Sequence, residues 1–295
     1  MEQGMRFAEI GQQLRAYRME SGLRAEEIAA RLGVSRAALY RYEKGEVIKL
    51  DTVKRLAELL KVSPLSLLGI GVEYYSRSTG YFERIRQIEE SADQLLQISG
   101  PTCYLTTSDA YDVSLADSLT EAARMPGIDV SAARITVEQV LSLLAARKRT
   151  YQQRKPGIIA LLSARAVGVF LQEGVLPTTT LPESLRIQNR LLARTEMERI
   201  AAQMETEPMG LQFGLLTSAE PTSGFVIVRG RDRATLGVNP FRVDCMPLQQ
   251  TGVAMITGAD EAVASHQRVA ESLWKEALRG PAAAAELRRM IAASS

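Results

Sequence analysis

The sequence predicts an all-α head of five short helices over residues 1–70 and a larger α/β domain with an antiparallel meander over residues 81–295. Three observations carry this reading. Between residues 7 and 60 apolar side chains recur at spacings of three and four, punctuated by Gly22, Gly33 and Gly45. Beyond residue 156, short runs such as "GLQFGLLT", "GFVIVRG" and "RATLGVN" read as strands separated by turns. Between the two regions, "GIGVEYYSRSTG" has Gly, Ser and Thr without helical period, which marks residues 71–80 as a linker.

Composition narrows the class. A chain of 295 residues has room for two unequal domains, each with a core. No apolar run approaches the roughly 20 residues a membrane span needs, so no membrane partner is expected. The opening "MEQGMRFAEI" lacks a basic stretch followed by an apolar core, which makes the cytoplasm the expected location. Cys103 and Cys245 stand far apart with no CxxC or His/Cys spacing, so buried free thiols are expected, with no metal site and no cofactor. The formal net charge is +2; residues 1–70 hold 12 Lys/Arg against 9 Asp/Glu (+3) and the rest 24 against 25 (−1). An anionic partner is therefore expected at the head.

Within the head, Phe7, Ile10, Gly11, Leu14 and Tyr17 place a first helix over residues 6–20, ending near Ser21 and Gly22. In "RAEEIAARLG", Ile28, Ala29 and Leu32 make the apolar face of a second helix. Glu26 and Glu27 suit its positive N-terminal end, and Gly33 supplies the left-handed residue that stops it. Ser35 caps a third helix that closes at Gly45. Two short helices joined by one tight turn form a helix-turn-helix. A fourth helix from Asp51 turns Val53, Leu56, Ala57 and Leu60 inward, and a short fifth begins at Ser63-Pro64.

At about 100° per residue, Arg36, Ala37, Tyr40 and Arg41 share an arc of roughly 140° opposite Leu39 and Tyr42. Two guanidinium groups on one exposed face suit the paired acceptors of guanine, worth roughly 1–3 kcal/mol of base discrimination. The stretch "LRAEEIAARLGVSRAALYRYEKG" resembles the helix-turn-helix of the Cro/cI (XRE) family, over about residues 10–69. The resemblance implies a lambda-repressor-like head that binds double-stranded DNA. It puts Arg36, Ala37 and Arg41 at base-reading positions with Tyr40 beside them and Arg24 near the phosphate backbone; Ser35 and Lys44 complete the expected DNA-binding set. It also implies an ion pair between Arg18 and Glu43. One departure stands out: Ala25 occupies the start of the second helix, where many members carry a Gln that contacts phosphate.

Past the linker, residues 81–98 read as a helix and "TCYLTTS" as a short buried strand; helices follow at about 114–124 and 136–153. "GIIALLSARAVGVFLQEG" starts as a strand and continues as a helix. A long helix over 182–206 precedes the three strand candidates of the meander, and "GVAMIT" is a last strand before helices at 259–278 and 281–292. In the order of its elements, the span 140–292 is similar to the C-terminal sensor-like domain of WhiJ-type regulators, which transfers no ligand or catalytic residue.

Enzymatic constellations are not assembled by this sequence. The single histidine, His266, lies on an amphipathic helix among polar neighbours, and "SARAVGVF" lacks the GxSxG nucleophile turn. Arg147, Lys148, Arg149, Tyr151, Arg154 and Lys155 form a basic run that fits either an anion site or a solvated helix face. Thr106, Thr107, Ser108 and Asp109 follow the candidate buried strand and suit either an effector-binding loop or a plain helix cap. The expectation is a non-enzymatic, homodimeric transcription regulator that reads a palindromic operator, with the larger domain sensing a small-molecule effector or a small partner protein. The alternative is an enzyme domain fused to a DNA-binding module.

Overall fold

The computed structural model describes residues 7–124, 129–178, 181–218 and 221–294. The head consists of α1 (Phe7–Ser21), α2 (Ala25–Leu32), α3 (Arg36–Glu43), α4 (Leu50–Leu60) and α5 (Pro64–Leu67). Ile10, Leu14 and Tyr17 of α1 are buried with Ile28, Leu32, Leu39, Val53, Leu56 and Leu60, the face that the apolar spacing predicts. The Phe7 side chain, placed on that face by the sequence, lies outside the described residues. Gly33 takes φ +71°, and Val34 N–H returns to Ala29 O over 3.0 Å, so the turn closes as a helix stop followed at once by a new start. Ser35 Oγ then accepts from Ala38 N–H at 3.1 Å, and Ser63 Oγ accepts from Ser66 N–H at 2.9 Å.

Residues 71–80, read from the sequence as a linker, carry secondary structure instead. They contain β1 (Val72–Tyr75) and the first turn of α6 (Ser78–Glu89). Glu73 and Tyr75 point inward while Tyr74 points out, a period of two that a glutamate conceals. Glu73 is buried because Arg84 and Gln13 supply its counter-charge and hydrogen bonds. Gly80 marks close approach rather than a break, since a Cβ there would lie 2.6 Å from Glu20 Oε2 and 2.9 Å from the Tyr75 ring.

Two further elements differ from the sequence reading. The helix expected to reach residue 98 ends at Glu89, and β2 (Gln94–Ser99) follows, because Leu95, Leu96 and Ile98 are buried in the interior of the sheet. "TCYLTTS" forms a single 3₁₀ turn over Tyr104–Thr106 rather than a strand; the Thr106 and Thr107 hydroxyls donate to Cys103 O and Tyr104 O at 2.9 and 2.8 Å. Threonine hydroxyls that bond back to the chain favour a turn over a ladder. The remainder runs α7 (Asp109–Ala122), α8 (Val130–Arg154), β3 (Gly157–Ser163), α9 (Ala164–Glu173) and α10 (Glu183–Thr206). After these come β4 (Leu211–Leu216), β5 (Gly224–Arg229), β6 (Ala234–Asn239), β7 (Ala254–Thr257), α11 (Asp260–Glu276), β8 (Leu278–Arg279) and α12 (Gly280–Ala293).

Among the described residues these strands form one eight-stranded mixed sheet in the order β1-β7-β6-β5-β2-β3-β4-β8. β2, β3 and β4 are parallel, whereas β5, β6, β7 and β1 alternate. The meander is thus β5-β6-β7 closed by β1, and β4 is separated from β5 by β2 and β3. On one face α11 covers Leu96, Ile98, Leu161, Phe225, Ile227 and Leu236. On the other, one continuous core runs from Leu14, Tyr17 and Leu56 in the head through Tyr75, Tyr81 and Phe82 to α7, α8 and α10. The head is joined to the sheet by packing, which fixes where its exposed face points.

Candidate nucleic-acid interface

The exposed face of α3 is built from beneath by α1. Gly11 allows this approach: a Cβ there would meet Tyr42 O at 2.6 Å and Glu43 O at 2.7 Å. From the same helix Arg18 grips Glu43 with Nε 2.5 Å from Oε1 and Nη2 3.2 Å from Oε2, the pair expected from the family resemblance. Glu43 is buried and Arg18 partly so, so this bidentate contact orients the end of α3 out of competition with water. Ala29, also buried, lets α2 cross close to α3.

Arg24, Ser35, Arg36, Ala37, Tyr40, Arg41 and Lys44 are all exposed. Arg36 Nη1 lies 2.7 Å from Glu26 Oε1, its Nη2 donates to Tyr40 Oη at 3.2 Å, and its guanidinium sits 5.3 Å from the Tyr40 ring centroid. Arg41 Nε lies 3.2 Å from Glu46 Oε2. More than half of each of these four charged side chains is exposed, and such pairs contribute about 0–1 kcal/mol, so either guanidinium can leave its carboxylate at small cost. Glu26 and Glu46 are the participants the sequence reading missed; they lie ten and five residues from their arginines and no motif flags them. Ser35 Oγ is occupied by its cap, so its role at the interface is to start the helix.

The departure at Ala25 has a local solution. Its methyl is buried, and Glu27 Oε2 accepts from Arg24 N–H at 2.9 Å, so the start of α2 is capped without the family's Gln. Arg24 is left pointing to solvent at the positive end of α2.

A turn of this geometry, with the small crossing residue, the buried pair behind it and an arginine face in front, is the architecture of one known module. Residues 9–67 match the model of a family described as a helix-turn-helix domain. No curated protein matches the chain. The helix-turn-helix domain spans α1 to α5 and supports an XRE-like DNA-binding regulator; the layout resemblance of residues 140–292 finds no support in the comparisons. No helix among the described residues is long and apolar enough to cross a membrane.

Outside the helix-turn-helix domain, the basic run of α8 divides: Arg147 and Lys148 are engaged by other helices, and the rest of its charges form a solvated face. Arg147 is bound by Glu89 of α6 through Nε and Nη2 at 2.9 and 2.8 Å, and Lys148 Nζ reaches Asp112 at 2.6 Å and Ser108 O at 3.0 Å. Successive helical residues diverge by about 100°, so these neighbours brace two different helices. Arg149, Arg154 and Lys155 remain exposed.

Thr106, Thr107, Ser108 and Asp109 form the approach to α7. The two threonines are buried with their hydroxyls bonded to their own chain, Ser108 Oγ accepts from Tyr111 N–H, and Ser108 N–H points to Glu196. Asp109 is exposed in the first turn. Two surface grooves of about 490 Å³ lie elsewhere. One is bounded by Met204, Phe213, Trp274 and Arg279, the other by Leu171, Ile187, Leu191 and Arg194. His266 packs edge-on against Phe225 with Nδ1 2.9 Å from Ala262 O, and burial pushes the Cys103 thiol up to about 11.

Proposed function

We propose that the protein is a homodimeric, sequence-specific transcription regulator in which α3 reads operator DNA and the larger part acts as a sensor. The observation that carries the DNA-reading half is the α3 face: two exchangeable arginines held forward by the Arg18–Glu43 pair and by the Gly11 contact. An eight-residue helix is about 12 Å long and meets only a few base pairs, so specificity requires two copies set about 34 Å apart on one side of the duplex. Arg36 and Arg41 address bases; Arg24 and Lys44 address phosphates.

For the sensing half, the groove beside Trp274 is a better fit than the Thr106–Asp109 turn. An effector at the turn would have to displace hydroxyl bonds already made. The groove presents more polar than apolar surface and holds the Arg279 guanidinium 5.5 Å from the Trp274 ring, a match for a small polar ligand with an acidic group. A non-catalytic reading is favoured by the Cys103 thiol, which burial keeps protonated at neutral pH, and by a histidine ring engaged in packing.

The test is enrichment of duplexes from a random library by the full-length protein, followed by melting of the protein with the enriched duplex and a panel of carboxylate metabolites. The proposal predicts a defined site, and a metabolite that raises the melting temperature and changes operator affinity by about 1–3 kcal/mol without being consumed. Turnover of any metabolite would replace the sensor with the enzyme alternative. Failure to enrich a site would remove the regulator reading.

A further inference from the structure

The turn between β5 and β6 brings Arg229, Arg231 and Arg233, with Asp232, to the N-terminal end of α1. It is a fixed turn. Gly230 N–H donates to Arg233 O at 3.0 Å, Asp93 N–H donates to Arg229 O at 2.8 Å, and a Cβ on Gly230 would lie 3.0 Å from Ser91 O. Arg229 is tied down by Gln267 at 2.8 Å. Arg233 reaches across to the head, with Nη2 3.6 Å from Glu9 Oε1; Arg233 is exposed and Glu9 half-buried. Arg231 is exposed and enters no ion pair with a described residue.

Glu9 leads directly to the end of α3. Ala8, its neighbour in the first turn of α1, packs on Gly45, where a Cβ would lie 2.7 Å from Ala8 Cα. Gly45 follows Lys44, the residue that caps α3. A continuous line of contact therefore runs from Arg233 through Glu9, Ala8 and Gly45 to Lys44 at the C-terminal end of the reading helix. A duplex turn of about 34 Å is much longer than this roughly 12 Å helix, so DNA seated on α3 overhangs its ends and its backbone meets what stands beside them.

We propose that the β5–β6 turn is a second DNA contact, in which Arg231 and Arg233 neutralise phosphates flanking the bases read by α3. This rests on the DNA-binding reading above. Three arginines against Asp232 and Glu9 leave a net positive charge that favours an anion, the planar guanidinium matches phosphate, and the Glu9 contact is of the kind readily exchanged. The consequence is that the larger part of the chain touches DNA directly, so its position adds to operator affinity.

The experiment uses full-length protein and the duplex it enriches from a random library, with binding followed by fluorescence anisotropy across a salt series. For the Arg231→Ala/Arg233→Ala double variant, the proposal predicts about tenfold weaker binding to a long duplex, equally on enriched and scrambled sequence, and a log–log salt slope shallower by about 1.8. The loss disappears on a duplex trimmed to the core that α3 covers, and the double lysine variant keeps the wild-type slope. Unchanged circular dichroism and melting temperature establish that the variant is folded. Wild-type affinity and slope in the double alanine variant, while Arg41→Ala still relaxes preference at one base position, overturn the second contact and leave the regulator reading intact. Failure of the wild-type protein to enrich any duplex overturns both.

Discussion

Glu73 on β1 and Arg84 on α6 form a buried bidentate ion pair, with Nε 2.8 Å from Oε2 and Nη2 3.0 Å from Oε1. Gln13 of α1 donates to the same carboxylate at 2.6 Å, and Tyr75 Oη donates to it at 2.7 Å. Beside this cluster Tyr17 stacks on Tyr75 with centroids 5.3 Å apart, and Arg15 meets Glu83 at 2.8 Å. The helix that carries Gln13, Arg15 and Tyr17 is the one whose Arg18 holds α3, so α1 is in contact with both the reading helix and the sheet. One packed helix, rather than a slack tether, therefore stands between β1 or α6 and α3.

Removing the charge of Glu73 leaves Arg84 buried without a counter-ion. Glu73→Gln is expected to cost about 3–5 kcal/mol, the usual loss when one member of a buried pair is removed. Because Gln13 of α1 is bonded to the same carboxylate and the head shares one core with the sheet, both should unfold together. Trp274, the one tryptophan, reports the region near the sheet by fluorescence and circular dichroism reports all helices, so coincident urea transitions check this. An earlier transition by circular dichroism alone would mean that the head melts separately.

Gly11 and Gly33 should respond differently to alanine. At Gly11 the new methyl runs into two carbonyl oxygens of α3, so overpacking of about 1–3 kcal/mol is expected together with a loss of DNA affinity. At Gly33 nothing lies within 4 Å of the new methyl, and only the positive φ resists it, at about 1–2 kcal/mol. Denaturant melts and anisotropy on the same two variants separate the effects: Gly33→Ala retains affinity per folded molecule.

Arg41→Ala should lose roughly 1–3 kcal/mol on the enriched site and relax preference at one base position. Arg24→Ala should weaken every sequence alike and reduce the salt slope by about one. Equal losses on enriched and scrambled duplexes for Arg41→Ala would contradict its base-reading role.

Tyr17, Tyr75, Tyr81, Tyr104 and Tyr111 are all pushed well above the ordinary phenol range, chiefly by burial. A phenol whose folded pKa is raised contributes stability that is complete below its unfolded value of about 10 and is lost as pH rises from there towards the folded value. Stability should therefore fall steadily above about pH 10. These five phenols should ionise only as helical circular dichroism is lost, which alkaline titration with parallel absorbance checks; phenolate signal from all nine tyrosines of an intact fold would contradict it.

What the sequence discloses and what it hides follow from the range of the interactions. Gly33, Ser35 and the apolar spacing of α2 and α3 act within a few residues, so α3 and its exposed arginines were legible. β1 was not: it exists by pairing Tyr75 with Ala254 and Val72 with Thr257, and its inward Glu73 is tolerated only because α6 and α1 bring Arg84 and Gln13. Leu95 and Leu96 fit a helix face as well as a buried strand, and the parallel partner at Ile158 and Ile159 decides the matter. Arg147 and Lys148 look like surface charge because their acceptors, Glu89 and Asp112, lie 58 and 36 residues away. The Arg233 contact with Glu9 depends on the whole sheet being in place, so no local pattern announces it.

The symmetry of the bound DNA is the most direct test of a dimeric, sequence-reading protein. Hydroxyl-radical footprinting of the full-length protein on its enriched duplex should give two protected patches per strand related by a two-fold axis, with centres about 34 Å apart, extending past the recognised bases on the side where the β5–β6 turn lies. A single asymmetric patch bound by one chain, or protection that is the same on every sequence, would contradict it.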